Sequence, residues 1–262
     1  MKIIPSNILT LARETVWNIQ VHVCSLQQVL ENIDEGVDAN VMNRVLCCAN
    51  PHSLVIAHKD KEFLSALRSA DLLIPDGIGI VLASRLAGGN ITTRVSGPDV
   101  LVRLAAHWNK RNDRSFFFLG SSTEVLEMIR LRLHKEFPNI QVSGIYSPPF
   151  KEEFSEKETA EMIERINSAS PTALCVGMTA PRQEKWIFKN KDRLKVPIIC
   201  AIGAAFDYFA GTKKRAPQWV QNIGLEWLPR LMREPKRLWK RNVISTPVFL
   251  FHTIKQHFIS AV

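Results

Sequence analysis

The chain has 262 residues, 46% hydrophobic and 23% charged, which excludes a disordered or fibrous protein and suffices to bury a full core. Its net charge of +9 is unevenly spread: residues 1–212 carry 24 Lys/Arg against 23 Asp/Glu, and residues 213–262 carry 10 against 2. A positive field gathered at one end calls for an anionic partner, and phospholipid headgroups, a diphosphate substrate and nucleic acid are the candidates.

In chain order, residues 16–23 alternate as an edge strand and residues 25–34 read as a short helix. Residues 44–49, RVLCCA, form a buried strand that Asn50-Pro51 closes into a functional loop. A helix over 60–70 and a strand over 71–74 follow, stopped by Pro75-Asp76-Gly77. Helices are predicted over 77–86 and 98–110, the second opened by Pro98 and Asp99. Strand 115–119 leads to helix 123–137 and strand 140–145; helix 159–168 leads to strand 172–176, helix 183–194 and strand 196–202. Short strands that are apolar on both faces and alternate with longer helices predict an α/β protein with a Rossmann-like, mostly parallel sheet flanked by helices.

Ligands of such sheets bind beyond the carboxyl ends of the strands. The loops there read Asn50-Pro51-His52, Pro75-Asp76-Gly77, Gly120-Ser121-Ser122, Gly177-Met178-Thr179 and Gly203-Ala204-Ala205-Phe206-Asp207. Asp76, between a buried strand and a glycine, fits either a helix cap or a functional acid. Asp207 lies in the apolar run AAFDYFAG, where an acid is either paired or functional. Gly77-Ile78-Gly79 lacks the third glycine of a dinucleotide fingerprint, which argues against a nicotinamide-dependent oxidoreductase. No DxD occurs and no His residues fall at ligand spacing, so neither a catalytic metal nor another cofactor is expected.

The pattern changes after Arg215. Trp219, Ile223, Trp227 and Leu231 recur every fourth residue, with Lys213, Lys214, Arg215, Arg230, Arg233, Lys236, Arg237, Lys240 and Arg241 around them. Pro229, Pro235 and Pro247 divide this tail into short helices. Two parts are expected: a core over 1–212 and a basic, Trp-rich helical appendage over 213–262 that docks on an anionic membrane surface. No nucleic-acid module is readable, so nucleic acid is not the expected partner. The longest uncharged run of the tail, residues 242–254, has 13 residues, against roughly 18 to 20 for a spanning helix. No signal peptide is read at the start, and five cysteines without CxxC spacing predict reduced thiols and a cytosolic setting. Monomer and homo-oligomer stay open.

Several motifs, in order, carry a resemblance. Asn50-Pro51-His52, IPDGIGIV (74–81), FFLGSS (117–122), APRQEKWI (180–187), IGAAFDYFAGTKKRAPQWVQ (202–221) and GLEWLPRLMREPKRLWKR (224–241) together resemble the WecG/TagA/CpsF glycosyltransferases, glycosyltransferase family 26. The resemblance spans residues 45–241 and implies a GT-E fold and an inverting, metal-independent transfer. A sugar would pass from a UDP donor to a polyprenyl-diphosphate-linked saccharide at the cytoplasmic membrane face, in surface or exopolysaccharide synthesis. It carries the proposed catalytic base onto Asp76. Asn50, Gly77, Gln183 and Asp207 become pocket residues, and Arg230, Arg237 and Lys240 become phosphate-contacting cations of the appendage. Lys240 keeps the charge of an arginine but loses its bidentate fork. Cys48 stands where the family commonly has Thr, so a hydroxyl contact is lost. The family includes ManNAc, ManNAcA and glucosyl transferases, a xanthan-type enzyme among the last. A non-catalytic basic membrane adaptor would explain the tail but not Asp76, Gln183 and Asp207.

Overall fold

The computed structural model describes residues 8–259, and within them the backbone alone of residues 222, 237, 240–242, 254 and 256–259. A hairpin of β1 (Arg13–Val16) and β2 (Ile19–His22) comes first, then α1 (Leu26–Asp38) and β3 (Arg44–Ala49). Next are α2 (Pro51–Lys59), α3 (Lys61–Arg68), β4 (Leu72–Pro75), α4 (Ile78–Leu86) and α5 (Gly97–Trp108). The second half of the sheet is built from β5 (Ser115–Gly120), α6 (Thr123–Glu136), β6 (Gln141–Tyr146), α7 (Glu156–Ala169), β7 (Ala173–Gly177), α8 (Arg182–Asn190) and β8 (Ile198–Ala201). After α9 (Gly203–Ala210) the chain runs through α10 (Gln218–Asn222), α11 (Trp227–Arg233), α12 (Pro235–Trp239) and α13 (Thr246–Ile259).

The six long-range strands lie in the order β4-β3-β8-β7-β5-β6, and every pairing is parallel. Alternate residues feed opposite faces, as the period of two requires. Val45, Cys47, Leu174, Val176 and Ile199 enter one apolar core, while Leu46, Leu72, Phe116, Phe118 and Cys200 enter the other. From β3 the chain winds outward to the β4 edge, crosses to the opposite half of the sheet, and returns through β7 to place β8 beside β3. The winding thus reverses between β3 and β8, and a crevice forms beyond their carboxyl ends.

Three expectations are corrected. Residues 16–23 are not an edge strand of the sheet: Trp17 and Asn18 both take positive φ, 52° and 60°, so the run folds back as a two-residue hairpin that pairs Val16 with Ile19. Asn50-Pro51 does not open a loop. Asn50 caps α2: its side-chain oxygen accepts from the Ser53 N–H at 3.0 Å, and the Asn50 N–H donates to the Ser53 hydroxyl at 2.8 Å, with Pro51 in the first turn, where its missing N–H costs nothing. Finally, the four-residue spacing of the tail is not one helix face. Gly224, at φ 77°, separates α10 from α11, and Pro235 opens α12 just beyond the end of α11, as a division into short helices requires, whereas Pro229 and Pro247 fall in the first turns of α11 and α13.

The C-terminal segment lies on the core, with α13 against α2 and α4. Phe249 is fully buried beneath Trp17, at 5.4 Å between ring centroids, and His252 meets the same indole edge-on at 5.2 Å. Among the described residues no helix is long and apolar enough to cross a membrane.

Candidate active site

Two adjoining cavities, of about 320 and about 230 Å³, open over the carboxyl ends of β3, β4, β7 and β8. Asn50, His52, Asp76 and Arg230 line both. The larger runs from Gly77, Ile78 and Leu82 of α4 to Trp227, Leu238 and Leu250 of the tail. The smaller reaches Cys48, Thr179, Gln183, Glu184, Asp207 and Lys213 around the start of α9.

Asp76 owes its place to backbone pairing. Its N–H donates to the Ala49 carbonyl at 2.7 Å, and the Pro75 carbonyl accepts from the Val95 N–H at 2.7 Å. The end of β4 is thereby held from both sides, and the carboxylate stands on the wall the two cavities share. Gly77 takes φ 92°, and a Cβ added there would touch nothing. The glycine therefore answers a conformational need, the turn from strand into helix. No side chain caps α4 or α9. Gly77, Ile78 and Gly79 at the start of α4 line the larger cavity, and Gly203, Ala204 and Ala205 at the start of α9 line the smaller, so the positive ends of both helix dipoles lie at the walls, a setting that suits anionic oxygens.

The other expected residues distribute as follows. Asn50 spends its carbonyl oxygen on the α2 cap, so its amide nitrogen is the end left to donate. Gln183 is buried and donates to Glu184 Oε1 at 2.9 Å. Asp207 accepts from Lys213 at 2.7 Å; this is the pairing that an acid in an apolar run requires. The Arg230 guanidinium lies over the Tyr208 ring, 5.2 Å from its centroid. The side chains of Arg237 and Lys240 lie outside the described residues. Cys48 is half-buried at the mouth of the smaller cavity, and burial followed by the Asp76 charge pushes its thiol well up, so it sits there as a neutral group.

The tail cations are not simply a solvated face. Lys213 also reaches Glu234 at 2.9 Å, and Arg233 donates to the Lys214 carbonyl at 2.5 Å. Arg215 grips both Asp99 oxygens, at 2.5 and 2.9 Å, and donates from Nε to Glu226 at 3.1 Å. The second Glu226 oxygen meets Arg94 at 3.1 Å. Sequence reasoning missed Arg94 and Glu226, which both line the larger cavity. A lone arginine in TTRVSGP has no local signal, and only the topology brings it to the tail. Among the described residues, no three His, Cys, Asp or Glu side chains gather to hold a metal ion.

A carboxylate fixed between two cavities, with uncapped helix starts and cations on their walls, is suited to join an anionic donor to an acceptor with an acidic proton. That is the general plan of a group-transfer enzyme. The model of the glycosyl transferase WecG/TagA/CpsF family matches residues 14–261, and the chain belongs to that family. Among its relatives is an N-acetylglucosaminyldiphosphoundecaprenol N-acetyl-beta-D-mannosaminyltransferase of Bacillus subtilis, 30% identical over 243 residues, 93% of this chain and 91% of that protein. A protein of the same description from Bacillus spizizenii is 31% identical over 213 residues, 81% and 79% of the two chains. One from Staphylococcus aureus is 26% identical over 247 residues, 93% of each.

Proposed function

We propose that this chain is an inverting, metal-independent glycosyltransferase that moves a hexose or N-acetylhexosamine-type sugar from a UDP donor to a polyprenyl-diphosphate-linked saccharide. The observation that carries the reading is the position of Asp76 on the wall shared by both cavities. The donor takes the smaller cavity, its diphosphate at the start of α9 near Arg230 and Lys213, and the acceptor takes the larger one. There the apolar side chains of Ile78, Leu82, Trp227 and Leu250 suit an isoprenoid, and Arg94 suits its diphosphate.

In this mechanism Asp76 accepts the proton of the attacking hydroxyl as the new glycosidic bond forms and the bond from the anomeric carbon to UDP breaks. A base so placed contributes about 10²- to 10⁴-fold. Charge growing on UDP is met by Arg230 and the α9 amides. Cys48, in place of a hydroxyl residue, bears on which sugar is taken. The activity for which the relatives are named makes N-acetylmannosamine the first sugar to try.

The reading extends to peripheral docking at the cytoplasmic face of the membrane. Its support is an exposed fringe of Trp219, Ile223, Met232, Trp239 and Phe251 beside the exposed cations Lys214, Arg233 and Lys236. The division into a core over 1–212 and an appendage over 213–262 belongs to the same proposal.

The test is UDP release from a panel of UDP-sugars with a short-chain lipid-diphosphate saccharide and EDTA present. Acceptor-dependent release from one donor, falling by about 10²-fold or more in Asp76→Asn, is expected. Release from no donor by the folded protein, or an undiminished rate in the variant, would overturn the reading.

A further inference from the structure

Gln183 and Glu184 open α8 side by side, and both are only 4% exposed. Their one mutual bond runs from Gln183 Nε2 to Glu184 Oε1, at 2.9 Å. The remaining oxygens, Gln183 Oε1 and Glu184 Oε2, are buried and meet no hydrogen-bond partner among the described residues. The Gln183 carbonyl end lies against the first residue of α9: a Cβ added to Gly203 would stand 2.5 Å from Oε1 and 3.2 Å from the Thr179 nitrogen. All four residues line the smaller cavity.

A carboxamide is nearly symmetric in shape, so its hydrogen bonds alone decide which end points where. An ionised Glu184 only accepts; it must face the amide N–H and so turns the carbonyl toward Gly203. A protonated Glu184 carries an O–H that the carbonyl can accept, and the amide then presents its N–H₂ to Gly203 instead.

We propose that Glu184 is a positioning residue for the donor: its carboxylate fixes the Gln183 amide so that a carbonyl acceptor faces Gly203, and its protonation releases that amide. The ligand group matched by the acceptor is a hydroxyl or ring N–H of the sugar nucleotide, which rests on the donor placement given above. Burial raises the Glu184 carboxyl to about 7, with the Gln183 bond opposing, so the exchange falls in an accessible range. From β3 the groups that feel its charge are the Cys47 and Cys48 thiols, both held neutral chiefly by burial. Lys191 acts on Cys47 from the end of α8. Lys185, its neighbour in α8, is turned outward to Asp60 and Glu62.

Two measurements test this. In ¹³C-labelled, ligand-free protein, one glutamate carboxyl titrates near pH 7; the signal is absent from Glu184→Gln, and its midpoint moves higher in Gln183→Ala. In the transfer assay the donor KM rises roughly tenfold as the pH falls from about 8 to about 6, the scale of one mismatched buried hydrogen bond. In Glu184→Gln the KM no longer follows pH through that step. No glutamate titrating above pH 6, an unmoved midpoint in Gln183→Ala, or a KM step that persists in Glu184→Gln would overturn the proposal. Turnover from no donor in any of the proteins would overturn the transferase reading instead, while the titration would still decide whether Glu184 and Gln183 are coupled.

Discussion

Glu226 is the hinge pin of the closed tail, and Glu226→Gln tests whether its two arginines hold the segment in place. The acid is 14% exposed, Arg94 18% and Arg215 23%, so the network lies between the buried regime, where breaking a pair is costly, and the surface regime, where it is nearly neutral. A glutamine keeps the size but offers one oxygen to two guanidiniums, and its amide N–H₂ must face the other. Hydrogen bonds to charged groups contribute about 1.5–3 kcal/mol, and a loss of about 2 kcal/mol raises the local opening constant roughly 30-fold. Arg215 retains Asp99, so the opening is confined to the segment beyond it. Hydrogen exchange should therefore quicken in α11, while β3, β5, β7 and β8 keep their protection. Equal loss of protection in the strands, or no change in α11, would refute the argument that this cluster holds the tail.

Two further outcomes follow from buried groups. His22 is 3% exposed and accepts from Arg13 at 2.9 Å, and burial followed by the Arg13 charge lowers its pKa to about 4. A base depressed on folding stabilises fully above its unfolded pKa near 6.5 and loses that stability as the pH falls toward 4, here about 3 kcal/mol. Denaturant midpoints of the wild type should fall faster than those of His22→Gln over that window, and parallel profiles would count against a buried neutral ring. Gly203→Ala places a methyl 2.5 Å from Gln183 Oε1 and should raise the donor KM about tenfold or more with little change in far-UV circular dichroism. An unchanged KM would show that the Gln183 end does not serve the donor.

Much of this was legible because a strand buried on both faces has no way to hide its composition. RVLCCA, SFFFL and the runs near 173 and 198 all became neighbours in one parallel sheet; the rule that ligands sit beyond their carboxyl ends pointed to Asn50, Asp76 and Asp207, and the family resemblance added Gln183, all four on the walls of one crevice. Other features depend on information that a local window lacks. Alternation alone does not distinguish one strand from two, and only the left-handed pair Trp17-Asn18 makes the hairpin. Arg94 and Glu226 are ordinary surface letters until the chain reversal at β3 and β8 brings the tail over α4. The Asn50 amide, read as closing a strand into a loop, is also the cap of a helix that a start signal of Asn followed by Pro could have revealed.

The charge excess at the C-terminal end divides along the same line. Lys213 and Arg215 are half-buried and bound to core acids, whereas Lys214, Arg233 and Lys236 are exposed. Salt screens exposed charges over about 8 Å at 0.15 M and about 3 Å at 1 M, but reaches partly buried pairs much less. The two roles of the tail should therefore separate. Raising salt from about 0.1 to about 0.5 M should release the protein from anionic vesicles, while exchange protection in α11 stays where it was. Loss of both together would mean that the cations holding the tail to the core are the same ones that meet the membrane, and the assignment of Lys213 and Arg215 to closure would fail.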